Sequence, residues 1–242
     1  MLHKTRGIVL KTFNYSETSL IVHVLTEKFG TQSYLLKGVR KNKTKIKMSM
    51  LQPLHLLDMV VYHKPNGGLQ SIAELKNDPI LSEIPYHIIK TSLAIFICEL
   101  LYVTLKESNT DEDLFEFAFQ SIQLLDLTQA PLANFHLFFM LRFSKFLGIY
   151  PAQAIKVSDN YFDVKNGVFV NGIPSHPVYM EKENTEFLKQ LMQNNFEQAA
   201  QLHLSSEERK KFLQALIAYY QYHLEGFKGL QSHVVLEEVL SN

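Results

Sequence analysis

Along residues 1 to 78, apolar and polar positions alternate in short runs. RGIVLKTFNY, TSLIVHVLTE, TQSYLLKGV, PLHLLDMVVY and LQSIAEL are rich in Val, Ile, Leu, Tyr or Thr and are bounded by Gly, Asn, Pro or polar clusters, which predicts five strands. Glu27-Lys28-Phe29-Gly30 ends a turn on glycine, and Pro65-Asn66-Gly67-Gly68 is a tight-turn signal because glycine accepts positive φ at no steric cost. Antiparallel hairpins follow. So small a sheet exposes its edges unless it curls, so the expected architecture is a five-stranded barrel of the OB type, with an SH3-like barrel as the alternative.

After Asp78-Pro79 the period becomes helical. Residues 84 to 105, IPYHIIKTSLAIFICELLYVTL, are apolar almost all round, as in a helix buried within a bundle. DEDLFEFAFQSIQLLDL keeps one wide apolar face behind Asp111, Glu112 and Asp113, acids that suit the positive end of a helix dipole. Pro131 falls in the expected first turn of a third helix, LANFHLFFMLRFSKFLG, which stops at Gly148. Residues 150 to 180 lose the pattern, and Asn166-Gly167 between YFDV and VFV predicts a hairpin insertion near 155–175. Helices return with EKENTEFLKQLMQNN, with the capping-box pair Ser205 and Glu208 opening SSEERKKFLQALIAYYQYHLEG, and with HVVLEEVL. The expected class is α+β: a barrel over residues 1–78, then a helical domain over 79–242 with a small β insertion.

Composition supports two domains, since 242 residues with 46% hydrophobic side chains exceed the usual single-core size. Charge balances overall at 24 basic against 24 acidic residues, but its distribution does not. Residues 1 to 78 hold 12 Lys/Arg and 5 Asp/Glu, a net of +7, and the remaining 164 hold 12 and 19, a net of −7. A basic binding half joined to an acidic half with another task is the reading. Cys98 stands alone, which excludes an internal disulfide or a cysteine-rich zinc site and fits a reducing cytoplasm. The N-terminus MLHKTRGIVLKTF lacks a signal-peptide pattern, and TSLAIFICELLYVTL, broken by Glu99, falls short of the roughly 20 apolar residues that span a bilayer.

Enzyme chemistry finds no support. Phosphate-loop, dinucleotide-turn and nucleophile-elbow patterns are absent, and none of the ten histidines pairs with another at the i, i+4 spacing that aims two imidazoles at one metal. No cofactor or metal is expected, and Cys98 reads as a small buried hydrophobe. An unrecognised hydrolase would need a nucleophile and base that converge only in space.

The stretch LKGVRKNKTKIKMSML places Lys37, Arg40, Lys41, Lys43, Lys45 and Lys47 together with no acid among them. A solvated loop is the ordinary explanation of such a run. Against it stand the unmixed sign, the small barrel around it, and Lys4, Arg6 and Lys11 on the first strand, which together suggest a groove for a nucleic-acid backbone. Phe13, Tyr15, Phe29 and Tyr34 are candidates for base stacking, with core packing the alternative for each. No recognition helix or zinc finger accompanies the charge, so the expected binding is electrostatic and not sequence-specific.

Several short elements resemble a known family in order and spacing: Ile8-Val9-Leu10-Lys11-Thr12, Tyr15-Ser16-Glu17, Leu25 to Gly30, Lys37-Gly38-Val39-Arg40, Leu51-Gln52-Pro53, Glu99-Leu100-Leu101, Phe146 to Pro151, and Gly229 to Ser232. Together they are similar to the bacterial recombination mediator family RecO. The resemblance implies an OB fold with a helical C-terminal domain and no catalytic turnover. It also implies binding of single- and double-stranded DNA, annealing of complementary strands, and, with RecR, loading of RecA onto strands coated by the single-stranded DNA-binding protein SSB. Lys37 and Arg40 fall on its K-G-x-R element and are assigned to DNA backbone contact, with Lys41, Lys43, Lys45, Lys47, Arg6 and Lys11 extending that surface. For the acidic, Phe-ended SSB tail, Arg142 and Lys145 on an apolar helix are the candidates, although both can equally snorkel from the helix face. Many members carry a four-cysteine zinc site where this chain, from Ala152 to Val170, has no cysteine; metal is not carried over, and packing is expected to replace it. The alternative function is a protein-interaction scaffold that binds no DNA.

Overall fold

The computed structural model describes residues 1–39, 46–64, 67–105, 110–152 and 155–241. They form two compact units, Met1–Thr128 and Gln129–Asn242.

The first unit is built on β1 (Leu2–Asn14), β2 (Leu20–Thr26), β3 (Gly30–Leu36), β4 (Leu56–Tyr62) and β5 (Ser71–Asn77), with a 3-10 turn at Met48–Leu51. Neighbouring strands pair antiparallel in the order β3-β2-β1-β4-β5. The two outer strands then meet through a parallel bridge, in which the Leu35 N–H donates to the Gln70 carbonyl at 2.9 Å and the Gln70 N–H to the Ser33 carbonyl at 2.8 Å. This closure makes the sheet OB-like. Curling is assisted by a bulge in β1 between Val9 and Lys11 and by one in β5 at Ala73, opposite Val60 and Val61 of β4. Val9, Val22, Val24, Tyr34, Leu57 and Met59 fill the interior. Gly7 is needed there, because a Cβ would lie 2.6 Å from both the Met59 methyl and a Val24 methyl.

Strands give way to helices after Asn77, but the compact unit continues through α1 (Ile88–Thr104) and α2 (Glu112–Leu127). Side-chain bonds explain why. The Cys98 thiol on α1 donates to the Leu10 carbonyl at 2.8 Å, and Arg6 on β1 reaches Glu116 on α2 at 2.8 Å. Helix α1 starts at Ile88, later than the apolar pattern suggests, because the N–H groups of Ser82, Glu83 and Ile84 bind the buried Asp126 carboxylate at 2.8 Å each.

The second unit contains α3 (Phe135–Phe146), a sheet of β6 (Tyr161–Asp163), β7 (Val168–Val170) and β8 (Tyr179–Met180), then α4 (Lys182–Gln193), α5 (Phe196–Ala200), α6 (Ser206–His223) and α7 (His233–Ser241). The expected hairpin β6–β7 gains a third strand, in the order β7-β6-β8. Pro131 lies outside α3, contrary to the sequence reading. The helix begins only after Asn134, whose side chain bonds the carbonyls of Ala199 and Leu202 at 3.0 and 2.8 Å. Ser205 and Glu208 form the expected capping box of α6. Tyr219 and Tyr220 on α6 donate to the Ile149 and Met140 carbonyls, both at 2.6 Å, tying α6 to α3 and the loop after it. Among the described residues no helix is long and apolar enough to cross a membrane.

Candidate nucleic-acid interface

The basic run leaves the sheet at the end of β3. Lys37 is exposed, Gly38 takes φ +73°, and Val39 turns inward to the core. Arg40, Lys41, Lys43 and Lys45 lie outside the described residues. On the return, Ile46 packs against the same core and Lys47 is exposed in extended backbone before the 3-10 turn. Both ends of the run are thus pinned by an apolar residue while the adjoining lysine faces water.

The other cations differ in availability. Lys11 is exposed, its ammonium 5.1 Å from the Phe13 ring centre and 4.8 Å from that of Tyr102. Arg6 instead sits between Glu27 at 2.9 Å and Glu116 at 2.8 Å, over the rings of Phe115 and Phe119. The Glu27 hydrogen bond, partly opposed by burial and joined by Glu116, raises its pKa. A phosphate reaching Arg6 must compete with two carboxylates. Lys4 and Lys76 share Asp58 at 3.3 and 3.4 Å, and Lys76 also meets Asp78 at 2.6 Å.

The stacking candidates separate in the same way. Tyr34 is wholly buried in the barrel. The Phe29 ring stacks on His63, with centres 4.0 Å apart, and meets His3 edge-on. Phe13 and Tyr15 are exposed. Sequence runs gave all four the same standing, and only the sheet's inner and outer faces sort them.

In the helical unit Arg142 donates to the Asn194 carbonyl at 2.5 Å, at the C-terminal end of α4, and lies 5.0 Å from the Phe138 ring centre. Lys145, one turn on and exposed, lies over Tyr150 at 4.7 Å. The sequence reading missed a cleft of about 450 Å³ between α6 and α7, where Leu213, Val234 and Leu240 meet Arg209, Lys210 and Glu237. Lys210 pairs with Glu237 at 3.0 Å. His136 borders this cleft fully buried, and desolvation, followed by Arg209, pushes its pKa down to about 3, so the imidazole stays neutral at physiological pH. The adjacent basic residues of SSEERKKF were the available signal.

Where a zinc site stands in many proteins of the resembled family, Asp163 accepts hydrogen bonds from the Asn166 N–H at 3.0 Å and amide at 2.7 Å and pairs with His176 at 3.2 Å. Burial raises the Asp163 pKa, but these bonds outweigh it and the net shift is downward. Among the described residues no group of three or more His, Cys, Asp or Glu is placed to hold a metal ion, and one Asp–His pair does not fit a four-thiolate tetrahedral site.

Residues 1–77 match the family model described as recombination protein O N terminal, and residues 85–231 match that described as recombination protein O C terminal. The chain is 38% identical over 239 residues to the DNA repair protein RecO of Azobacteroides pseudotrichonymphae genomovar. CFP2, covering 99% of each. It is 36% identical over 241 residues to the protein of that name from Phocaeicola vulgatus, covering 100% of each, and 36% identical over 240 residues to that of Bacteroides fragilis, covering 99% of each.

Proposed function

The chain belongs to the RecO family of DNA repair and recombination proteins, and we propose that it acts in the bacterial cytoplasm as a non-enzymatic recombination mediator. In this reading residues 1–78 bind single- and double-stranded DNA, and residues 79–242 receive protein partners, including the SSB tail. Complementary strands are annealed and, together with RecR, RecA is loaded on SSB-coated strands. The observation that carries the reading is the exposure of Lys37 and Lys47, one at each end of a six-cation run with no acid, beside an OB-like sheet. Annealing then needs no catalytic group. Cations that neutralise phosphates release counterions and lower the repulsion between two backbones, and holding both strands on one surface keeps them close enough to pair.

The test replaces Lys37, Arg40, Lys41, Lys43 and Lys45 with Ala. Single-stranded DNA affinity is expected to fall, and the slope of log affinity against log salt to flatten by up to about 3.5, at roughly 0.7 per lost phosphate contact. Annealing of SSB-coated complementary oligonucleotides is expected to be accelerated by the native chain and lost in the variant. An unchanged salt slope in the folded variant removes the grip, and no acceleration by the native chain leaves the scaffold reading.

A further inference from the structure

Strand β1 changes character at its bulge. Gly7 to Leu10 are buried, whereas Lys11, Thr12, Phe13 and Asn14 are exposed although still paired with His23, Val22, Ile21 and Leu20. The bulge re-aims the strand, and the Cys98 thiol bonded to the Leu10 carbonyl holds it there. Burial pushes the Cys98 pKa up to about 12, so the proton stays on sulfur and the donor persists.

Paired residues share a face of the arm. Leu20 and Val22 belong to the barrel core, so Lys11, Phe13, Ile21 and His23 lie on the opposite face. There Phe13 meets His23 edge-on at 5.2 Å, His23 meets Tyr102 edge-on at 5.6 Å, and the Lys11 ammonium lies over both the Phe13 and Tyr102 rings. Burial, and then Lys11, push the His23 pKa down, which favours the neutral imidazole beside the Lys11 charge. Tyr15 stands one residue past the end of β1, where its N–H donates to the Ser19 carbonyl at 3.0 Å. Phe13 is 38% and Tyr15 59% exposed.

Register brings this row to the basic run. Asn14 pairs with Leu20 and Leu20 with Leu36, so Lys37 stands at the same end of the sheet, two strand spacings or roughly 10 Å away. Two exposed aromatic rings two positions apart, with Lys11 over one of them and Lys37 at the same end of the sheet, match what a single nucleic-acid strand requires: apolar faces for bases and charges for the phosphates between them. Scattered surface aromatics need no function, but here the bulge, the edge-on supports and the cations converge at one end of the sheet.

We propose that Phe13 and Tyr15 form a stacking platform for unpaired bases, with Lys11 and Lys37 holding the flanking phosphates. The proposal rests on the DNA-binding reading and deepens it, because bases in a duplex have their faces covered and gain nothing from the platform.

The 242 residues contain no tryptophan, so Phe13→Trp places a single tryptophan reporter on the platform. Its emission is expected to be quenched by oligo(dT) and unchanged by an abasic oligomer of equal length and charge. Phe13→Leu and Tyr15→Leu are each expected to weaken oligo(dT) binding about tenfold, leaving the abasic oligomer, duplex DNA and the salt slope unaffected. Equal losses on the base-bearing and abasic oligomers, or no loss in variants with native circular dichroism, overturn the platform while leaving the lysine grip intact. Failure of the native chain to bind any oligonucleotide overturns the underlying reading.

Discussion

Arg6 and Lys37 are both cations of the basic half, yet their surroundings assign them different work. Arg6 is clamped by Glu27 and Glu116 and laid over two phenylalanine rings, so it joins β1 to α2. Lys37 is exposed beyond the end of β3. Arg6→Ala is therefore expected to lower unfolding stability by about 1–2 kcal/mol, as partly screened ion pairs and cation–ring contacts are lost. The salt slope of DNA binding is expected to stay the same. Urea denaturation and a salt titration of the same variant check this, and a slope reduced by about 0.7 returns Arg6 to the phosphate contacts.

At the scale of elements, one buried acid and one buried lysine set where α1 begins and α2 ends. The Asp126 carboxylate accepts the N–H groups of Ser82, Glu83 and Ile84 and the Ser82 hydroxyl, and Lys90 donates to the Asp126 and Thr128 carbonyls at the C-terminal end of α2. Ammonium at a helix C-terminus is favoured by the dipole. Burial pushes the Asp126 pKa up, but the three backbone bonds and the hydroxyl outweigh it, leaving it below the ordinary value of 3.8. A depressed folded-state pKa adds stability that is fully present above the unfolded value and is lost as pH falls through the folded one. Asp126→Asn sets an amide donor against N–H donors and is expected to cost about 2–3 kcal/mol at neutral pH. It is also expected to flatten the decline of stability below pH 4. Urea midpoints measured between pH 7 and pH 3 report both effects, and an unchanged acid limb assigns that decline to other carboxylates.

For the whole molecule, the net +7 of residues 1–78 suits the DNA partner of the proposed role, whereas an acidic tail meets the net −7 stretch only where local cations stand out from it. In the proposed mediator role, the candidate places in the helical unit for an acidic, Phe-ended tail are the Arg142–Lys145 face of α3 and the α6–α7 cleft. Arg142→Ala is expected to weaken binding of an SSB tail peptide about three- to fivefold, as for a partly exposed ion pair, with DNA affinity unchanged. Peptide anisotropy checks it. A loss in Lys210→Glu and none in Arg142→Ala moves the site to the cleft.

The alternating runs before Asp78 and the helical period after it made the strand count, the OB-like sheet, the larger helices and the α6 capping box legible, because periodicity and caps are local properties. The basic run and the family elements were legible for the same reason. What lay beyond local pattern was decided by contacts distant in sequence. Asn134 binds carbonyls of Ala199 and Leu202 instead of opening its helix near Pro131, five-residue α5 is too short to show a period, and Arg6 meets Glu116 across 110 positions. By itself the sequence determined which residues carry charge and aromatic surface. Only the tertiary structure decided which remain available, because sheet register and side-chain pairing bury Tyr34, occupy Phe29 and Arg6, and leave Lys37, Phe13 and Tyr15 in solvent.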